Sequence, residues 1–158
     1  MPLIQLRHTI PTDLEHFFRF QLDPDACHQA AFMSKDHADR EAYMKKWDRL
    51  LKDETISIRT ILVDGVIAGS ISKYVMEGDA EITYWIDKQF WHKGVASTAL
   101  KESLTIEKTR PIFGRVAFDN TASQRVLEKC GFVKTGTDKG FAHARNCEIE
   151  EYIYKLST

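Results

Sequence analysis

Residues 79–104, DAEITYWIDKQFWHKGVASTALKESL, decide the fold because they predict a strand, a glycine-bearing turn and a helix in direct succession. In the first part, β-branched and aromatic residues alternate between two faces, which is typical of a half-buried strand. After Gly94 the spacing changes to three and four, which indicates an amphipathic helix. The residues that recur at this spacing are Ala96, Ala99, Leu100, Ser103 and Leu104.

The junction at residues 91–96 has no Ser, Thr, Asp or Asn in the usual capping position of the helix that follows. The first amides of that helix therefore lack an obvious side-chain partner. A helix start presents free N–H groups and the positive end of its dipole, and Gly94 lets backbone approach a ligand without a Cβ in the way. We therefore expect an anion such as a phosphate to bind at this junction.

The composition is that of one soluble globular domain, and we expect residues 1–158 to form it. Lys and Arg number 22 against 23 Asp and Glu, so no overall basic field favours nucleic acid. No apolar run is long enough for a bilayer, and the first ten residues do not resemble a signal peptide. Cys27, Cys130 and Cys147 form no C-x-x-C pair, which favours reduced thiols and a cytoplasmic protein. A homodimer is left open.

The first third of the chain predicts a short strand, a helix, a loop or broken helix, and a second helix. Thr12 and Glu15 have the spacing of a capping box at the start of the first helix. Residues 23–35 contain a proline as a helix breaker and predict the loop. Ser34 or Asp36 is then expected to cap the second helix.

The middle of the chain predicts three antiparallel strands joined by tight turns. Asp64-Gly65 is a favoured pair for a two-residue hairpin, and Gly78-Asp79 is expected to form the next turn. After the helix over residues 93–108, a strand at 112–118 can lie parallel to the strand at the start of the opening stretch. The sheet is therefore expected to be mixed.

The end of the chain predicts one more helix and two more strands. Asn120 is expected to cap the helix, and Gly131 to end it in the left-handed conformation. A short strand is predicted at 132–135, a loop at 136–145 and a closing strand at 148–156.

Two segments, FWHKGVAST at residues 90–98 and DNTASQRVLEKCGF at residues 119–132, resemble the GNAT superfamily of acyl-CoA-dependent N-acetyltransferases. They are most similar to its ribosomal-protein N-terminal branch, of the RimJ and RimL type, and the order of elements matches over nearly the whole chain. Two landmarks of the first family motif fall on Gly94 and Ala96, while Trp91 stands where many members have Arg or Gln. The resemblance implies an α+β fold, with a mixed, mostly antiparallel sheet of about seven strands, splayed between strands 4 and 5 and covered by helices on both faces.

The resemblance also implies how the chain binds acetyl-CoA as a cosubstrate. The amides of residues 92–97 would cradle the diphosphate, with Lys93 and the Ser97 hydroxyl as further donors. The pantetheine arm would pair with exposed strand backbone, as a peptide does in strand addition. Asn120 and Ser123 would lie near the pantetheine and the acetyl sulfur, although a plain helix cap also explains Asn120. The implied cofactor-binding residues are Trp85, Ile86, His92, Lys93, Gly94, Val95, Ala96, Ser97, Asn120 and Ser123.

Acetyl transfer to an amine needs a base, donors for the oxyanion and a place for the departing thiolate. Glu81 is the first candidate for the base, and a solvated strand carboxylate is its alternative. The N–H of Ile86 is the natural oxyanion donor. Many family members have a tyrosine at the position of Leu127 to protonate the thiolate, so here Ser123 or a water would act instead. Tyr84 is another candidate acid, although a strand tyrosine is more often part of a core.

No metal site is expected from the sequence. His37 and Glu41 share a helix face, but no third ligand lies at metal-binding spacing. A solvated pair is therefore the better interpretation.

We therefore expect an acetyl-CoA-dependent N-acetyltransferase that moves the acetyl group directly to a primary amine, either a protein N-terminus or a small molecule. A CoA-binding regulatory module without turnover is the alternative. The acceptor side would be shaped by the first two helices and the 136–146 loop. Polyamine or drug acetylation would require an acidic pocket. Aromatic residues that could line this side, or belong to the core, are Phe32, Tyr43, Trp47 and Phe141.

Overall fold

A computed structural model describes residues 2–158 of the chain. Its strands are β1 (Ile4–His8), β2 (Ser57–Val63), β3 (Val66–Met76), β4 (Asp79–Ile86), β5 (Ile112–Ala117), β6 (Val133–Ala142) and β7 (Cys147–Leu156). Its helices are α1 (Leu14–Phe20), α2 (Pro24–Ala30), α3 (Arg40–Lys52), α4 (Val95–Ile106) and α5 (Thr121–Lys129). The central strand–turn–helix unit predicted from the opening stretch is β4 followed by α4.

The strands form one sheet in the order β1-β2-β3-β4-β5-β7-β6, in which β4 and β5 are the parallel neighbours. The β2–β3 hairpin turns at Asp64-Gly65, as predicted, with φ values of 50° and 81°. The next turn lies one residue earlier than predicted, at Glu77-Gly78, because these two residues take the positive φ angles and Asp79 already pairs with Met76.

β4 and β5 separate soon after they meet. Their pairing covers only Ala80 with Ile112 and Glu81 with Phe113, whereas β4 continues to pair with β3 as far as Ile86. Residues 82–86 therefore have no strand partner on the β5 side. The sheet is splayed between strands 4 and 5.

Helices cover both faces of the sheet. On one face, α4 and α5 pack over an apolar core whose buried members include Ile82, Leu100 and Ile112. On the other face, α1 and α3 bring aromatic rings together, with Phe17 5.5 Å and Tyr43 5.7 Å from the ring centroid of Trp47. Among residues 2–158, no helix is both long enough and apolar enough to cross a bilayer.

The start of α1 differs from the prediction because Thr12 does not cap it. The chain enters through a 3-10 turn, and the buried carboxylate of Asp13 accepts hydrogen bonds from the amide of Ile10 at 3.0 Å and the hydroxyl of Thr60 at 2.8 Å. Arg7 is the third partner of this carboxylate, in an ion pair with 2.7 Å between the Arg7 Nη1 and the Asp13 Oδ2. A buried charge thus organises this turn.

The next two helix starts also differ. Pro24 begins α2 instead of breaking a helix, because the first helical position does not need its N–H, and Asp23 caps that helix. The cap of α3 is Asp39, which lies closer to the helix than either Ser34 or Asp36. Each cap accepts a hydrogen bond from the amide three residues later.

The predicted loop over residues 136–145 is wrong, because β6 extends the short predicted strand as far as Ala142 and pairs with β7. β6 is an edge strand whose side chains are mostly exposed, so it shows no apolar alternation. A shift in register between Lys134 and Gly136 further interrupts the pattern.

Candidate active site

The start of α4 has no side-chain cap, as predicted. Its capping residue Gly94 is left-handed, with φ 75°, and the space where a Cβ would stand is open. The first amide to reach a carbonyl of the new helix is that of Thr98, 3.1 Å from the Gly94 oxygen. The amides of residues 95–97 find no acceptor within residues 2–158. Three free N–H groups at the positive end of a helix dipole form a site that fits a phosphate.

The side chains beside this helix start differ in how available they are. His92 and Lys93 are exposed, and the Lys93 Nζ lies 6.0 Å from the ring centroid of Phe90. Ser97 is buried, and its hydroxyl donates to the carbonyl of Gly94 at 3.3 Å. The backbone amides, more than the Ser97 hydroxyl, are thus the donors that remain available.

Trp91 connects this turn to the end of β4. Its indole Nε1 donates to the carbonyl of Ile86 at 2.9 Å. The residue that stands in place of the family's Arg or Gln therefore has a structural role, which sequence spacing did not reveal.

The open edge of β4 presents the backbone of alternate residues. The amide of Asp87 donates to Ala68 on the β3 side at 2.8 Å, so Trp85 also directs its backbone groups toward β3. Tyr84 and Ile86 consequently direct theirs into the splay. Since Trp91 already occupies the Ile86 carbonyl, the Ile86 N–H and the Tyr84 backbone are the groups that a chain in the splay can reach.

Tyr84 and Ser123 meet across the splay, with 2.6 Å between the tyrosine hydroxyl and the serine Oγ. Burial raises the pKa of Tyr84 to about 12, and the hydrogen bond with Ser123 opposes part of that rise. The tyrosine is therefore protonated at neutral pH. Sequence reasoning named both residues but did not pair them, because they are 39 positions apart and belong to different elements.

Asn120 and Leu127 flank Ser123 on α5. The Asn120 Oδ1 accepts from the amide of Ser123 at 3.2 Å, so the predicted helix cap is confirmed. Leu127 is buried in the core, and a Cβ at Gly114 would lie 2.9 Å from its Cδ2. The tyrosine that contacts Ser123 is therefore Tyr84 of β4, while position 127 of α5 holds a leucine.

Glu81 is only 3% exposed, so the alternative of a solvated strand carboxylate is wrong. Its Oε1 lies 3.5 Å from the Nε of Arg115, a guanidinium that also reaches Glu151 at 3.1 Å and Asp138 at 3.3 Å. Burial raises the pKa of Glu81 above its ordinary value, although Arg115 opposes the shift. A carboxyl group with a raised pKa is a stronger base once it is ionised.

A cavity of about 590 Å³ lies between β3–β4 and the helices of the α1–α3 side. Trp85 and Ser70, which pair across the two strands, form part of its wall. Of the four aromatic residues that could line this side or belong to the core, Phe32, Tyr43 and Trp47 line the cavity, whereas β6 carries Phe141 to an exposed position. The remaining lining residues are Phe17, Phe20, Gln21, Met33, Ser34, Asp36, His37, Ala42, Lys45, Lys46, Arg49 and Gly69.

Alternation along β4 places the two chemical groups on opposite faces. Glu81 shares a face with Trp85, which lines the cavity, while Tyr84 faces α5. The splay lies between them. An amine entering from the cavity side and a thiolate leaving on the α5 side would thus meet different residues.

The two residues considered for a metal do not form a site. Glu41 makes an ion pair with Lys45 at 3.1 Å, whereas His37 lines the cavity. Within residues 2–158 no group of three or more His, Cys, Asp or Glu side chains is placed to hold a metal ion.

A family model described as "Acetyltransferase (GNAT) domain" matches residues 4–133. A protein of Bacillus subtilis (strain 168) named "Putative ribosomal N-acetyltransferase YdaF" is 32% identical over 124 residues, which cover 74% of this chain and 68% of that protein.

Two solved structures have the same fold. The first is a RimL ribosomal alpha-N-protein acetyltransferase in complex with coenzyme A, with 19% identity, a TM-score of 0.79, and coverage of 98% of this chain and 93% of that one. The second is Mycobacterium smegmatis RimJ in complex with CoA-disulfide, with 20% identity, a TM-score of 0.79, and coverage of 100% and 86%.

Proposed function

The chain belongs to the acetyltransferase (GNAT) domain family, and we propose that it transfers an acetyl group directly from acetyl-CoA to the α-amino group of a protein N-terminus. Membership of this family makes it an N-acetyltransferase in preference to a CoA-binding regulatory module without turnover. The protein N-terminus as acceptor is supported by the name of the Bacillus subtilis relative. Acetyl-CoA as cosubstrate is supported by the RimL and RimJ structures, which contain CoA.

The observation that carries this proposal is the uncapped start of α4 beside a splayed sheet. Amides 95–97 and the left-handed Gly94 fit a diphosphate, which needs donors but no particular side chain. The open edge of β4 offers the Tyr84 backbone to an extended amide-bearing arm and leaves the Ile86 N–H for the oxyanion. Diphosphate and pantetheine are the two parts of CoA that these neighbouring features would bind.

The contacts proposed for acetyl-CoA follow from that arrangement. Residues 92–97 hold the diphosphate, with Lys93 as the exposed cation beside it. The pantetheine runs along the open edge of β4, where Tyr84 and Ile86, and not Trp85, direct backbone groups into the splay, and then toward α5. There it would meet Ser123, whose hydroxyl contacts Tyr84, and Asn120, which caps the same helix.

In the proposed reaction, Glu81 takes a proton from the acceptor ammonium, directly or through water. The amine nitrogen then forms a bond to the acetyl carbon, and the Ile86 N–H stabilises the oxyanion. The carbon–sulfur bond breaks, the thiolate accepts a hydrogen bond from the Tyr84–Ser123 pair, and the second proton of the former amine nitrogen passes to the departing sulfur as the amide forms. A thiol has an ordinary pKa near 8.5 and Tyr84 about 12, so the pair stabilises the thiolate chiefly by donation.

The acceptor class is tested with matched peptides. One peptide has a free α-amino group, a second has the same sequence with a blocked N-terminus and a lysine side chain, and spermidine represents polyamines. We expect thiol release from acetyl-CoA with the first peptide alone, and mass spectrometry to place the acetyl group on its N-terminus. Release with spermidine or the blocked peptide only would overturn the proposed acceptor.

The role of Glu81 is tested by the pH dependence of the rate. Because burial raises its pKa and the base acts when ionised, kcat/KM should fall as pH decreases through that raised pKa. Glu81→Gln should lower kcat/KM about 100-fold and abolish its fall at acidic pH. Glu150→Gln, an exposed carboxylate on β7, serves as the control. If kcat/KM of Glu81→Gln still falls at acidic pH as it does in the wild type, Glu81 is not the base.

We also propose a cytoplasmic location. Cys27, Cys130 and Cys147 are all free thiols, which is typical of a reducing compartment.

A further inference from the structure

The cavity beside β4 has walls and a rim of different chemistry. Part of its wall is apolar and aromatic, where the rings of Phe17 and Tyr43 both pack against Trp47. Its volume of about 590 Å³ falls in the range of pockets that bind small ligands or a short peptide end. Trp85 belongs to this wall, and its neighbours Tyr84 and Ile86 face the splay that would hold the thioester, so the cavity lies on a side from which an acceptor can approach.

The rim carries an excess of positive charge. Lys45, Lys46 and Arg49 line the cavity, and Asp36 is the single carboxylate lining it. Lys45 is neutralised by Glu41, but Lys46 contacts only the hydroxyl of Ser34, at 3.4 Å. Arg49 makes no ion pair or side-chain hydrogen bond within residues 2–158. Two cations on successive turns of α3 therefore lack a carboxylate partner at the mouth.

One further polar group on this side is without a partner. The indole Nε1 of Trp85 is buried and makes no hydrogen bond within residues 2–158. A buried donor without an acceptor is unfavourable, so an oxygen of a bound molecule that reached this group would be favoured there.

We infer that this cavity selects acceptors that carry an anionic group close to the reactive amine, with Lys46 and Arg49 as the residues that bind the anion. The inference rests on the proposed function and names its acceptor class as a peptide with an acidic residue at its second or third position. Attraction between the anion and two unpaired cations favours this class, and the same charges repel a polyamine. The acidic pocket that polyamine acetylation would require is absent from the cavity lining.

The test compares three peptides that differ only at the second position, with Asp, Asn or Lys, and measures kcat/KM for each. We expect the Asp peptide to exceed the Asn peptide about tenfold, and the Lys peptide to be the poorest. The preference should reside mainly in KM, because the anion contact is present before and during the reaction. The same measurement of kcat/KM with free aspartate and free asparagine as acceptors shows whether a small amino acid can replace the peptide and supply the carboxylate itself.

In the double variant Lys46→Gln with Arg49→Gln, the ratio of kcat/KM between the Asp and Asn peptides should fall to about one. Lys52→Gln removes the same type of charge from the same helix outside the cavity, and should keep the preference. Turnover of all peptides without an Asp preference, or a preference that survives in the double variant, overturns this inference alone. Absence of turnover with every amine overturns the proposed function as well.

Discussion

α4 and α5 begin in opposite ways, although both face the splay. α4 starts at a left-handed glycine and leaves its first amides free, whereas α5 starts at Asn120, whose side chain accepts from the amide of Ser123. α4 therefore offers backbone to a ligand, while α5 keeps its backbone satisfied and offers the hydroxyl of Ser123. The contrast teaches that a missing cap beside a capped helix marks where a ligand completes the structure.

The first prediction concerns the uncapped start of α4. Gly94→Asp should weaken acetyl-CoA binding about 1,000-fold, because it places a negative side chain against the diphosphate. Isothermal titration calorimetry measures the change. Gly65→Asp is a matched control, since Gly65 has φ 81°, equally open surroundings and a place in a distant hairpin. Equal losses of affinity in both variants would mean that backbone strain, and not the phosphate site, is responsible.

The second prediction concerns α1, whose entry is held by a buried charge. Asp13→Asn should lower the free energy of unfolding by about 2–3 kcal/mol at pH 7, because it removes the charge that Arg7 and two further donors bind. Urea titration of the variant and of Asp48→Asn, which breaks only an exposed pair, makes the comparison.

The same residue gives a pH dependence. Burial alone would raise the pKa of Asp13, but the bonds from Arg7, Ile10 and Thr60 hold it below its ordinary value. The stabilisation is therefore complete above the unfolded-state pKa of about 3.9 and is lost as pH falls through the lower folded-state pKa. The difference in free energy of unfolding between wild type and Asp13→Asn should decrease in that acidic range. A gap that stays constant there would contradict the ion-pair explanation.

The third prediction tests what α5 contributes by its side chain. Tyr84→Phe and Ser123→Ala should each lower kcat about 10- to 100-fold with little change in acetyl-CoA affinity, because each removes a donor to the thiolate. The double variant should lose little more than either single one, since the two hydroxyls act as a unit. Stopped-flow detection of thiol release gives kcat. Fully additive losses would show that the residues act separately.

The fourth and smallest predicted effect is the loss of stability when the cap at the start of α5 is removed. Asn120→Ala should cost about 1 kcal/mol of stability, because the Ser123 amide loses its acceptor. Asn120→Asp keeps an acceptor in place and should cost less. Unfolding temperatures measured without CoA report the loss of the cap. If Asn120 also contacts CoA, the rise in unfolding temperature that CoA causes should be smaller in both variants than in the wild type.

The sequence predicted the central unit well because its signals are local. The change of period at Gly94, the Asp64-Gly65 turn and the Asn120 cap each depend on a few neighbouring residues. The helix starts at Asp13 and Asp39 were missed because several polar residues nearby have similar capping preferences. Burial and long-range partners, which the sequence does not display, decide between them.

The uncapped start of α4 was predictable from the sequence, whereas most other features of the candidate site were not. Residues 92–97 are contiguous, whereas the Tyr84–Ser123 pair and the burial of Glu81 come from packing between distant segments. The cavity collects residues from α1, α3 and two strands, so its charge could not be read from any one stretch. β6 was missed because an exposed edge strand is stabilised by backbone pairing and carries no apolar pattern.

The hydrogen bond from Trp91 to the Ile86 carbonyl has a consequence for how the chain responds to ionic strength. Where many relatives carry an arginine or glutamine, this chain has a neutral ring bound to its own backbone. In the proposed site the phosphates would be held by peptide dipoles at short range, with Lys93 as the nearby full charge, and dipoles at contact distance are weakly screened by mobile ions. Added sodium chloride should consequently loosen the nucleotide only slightly.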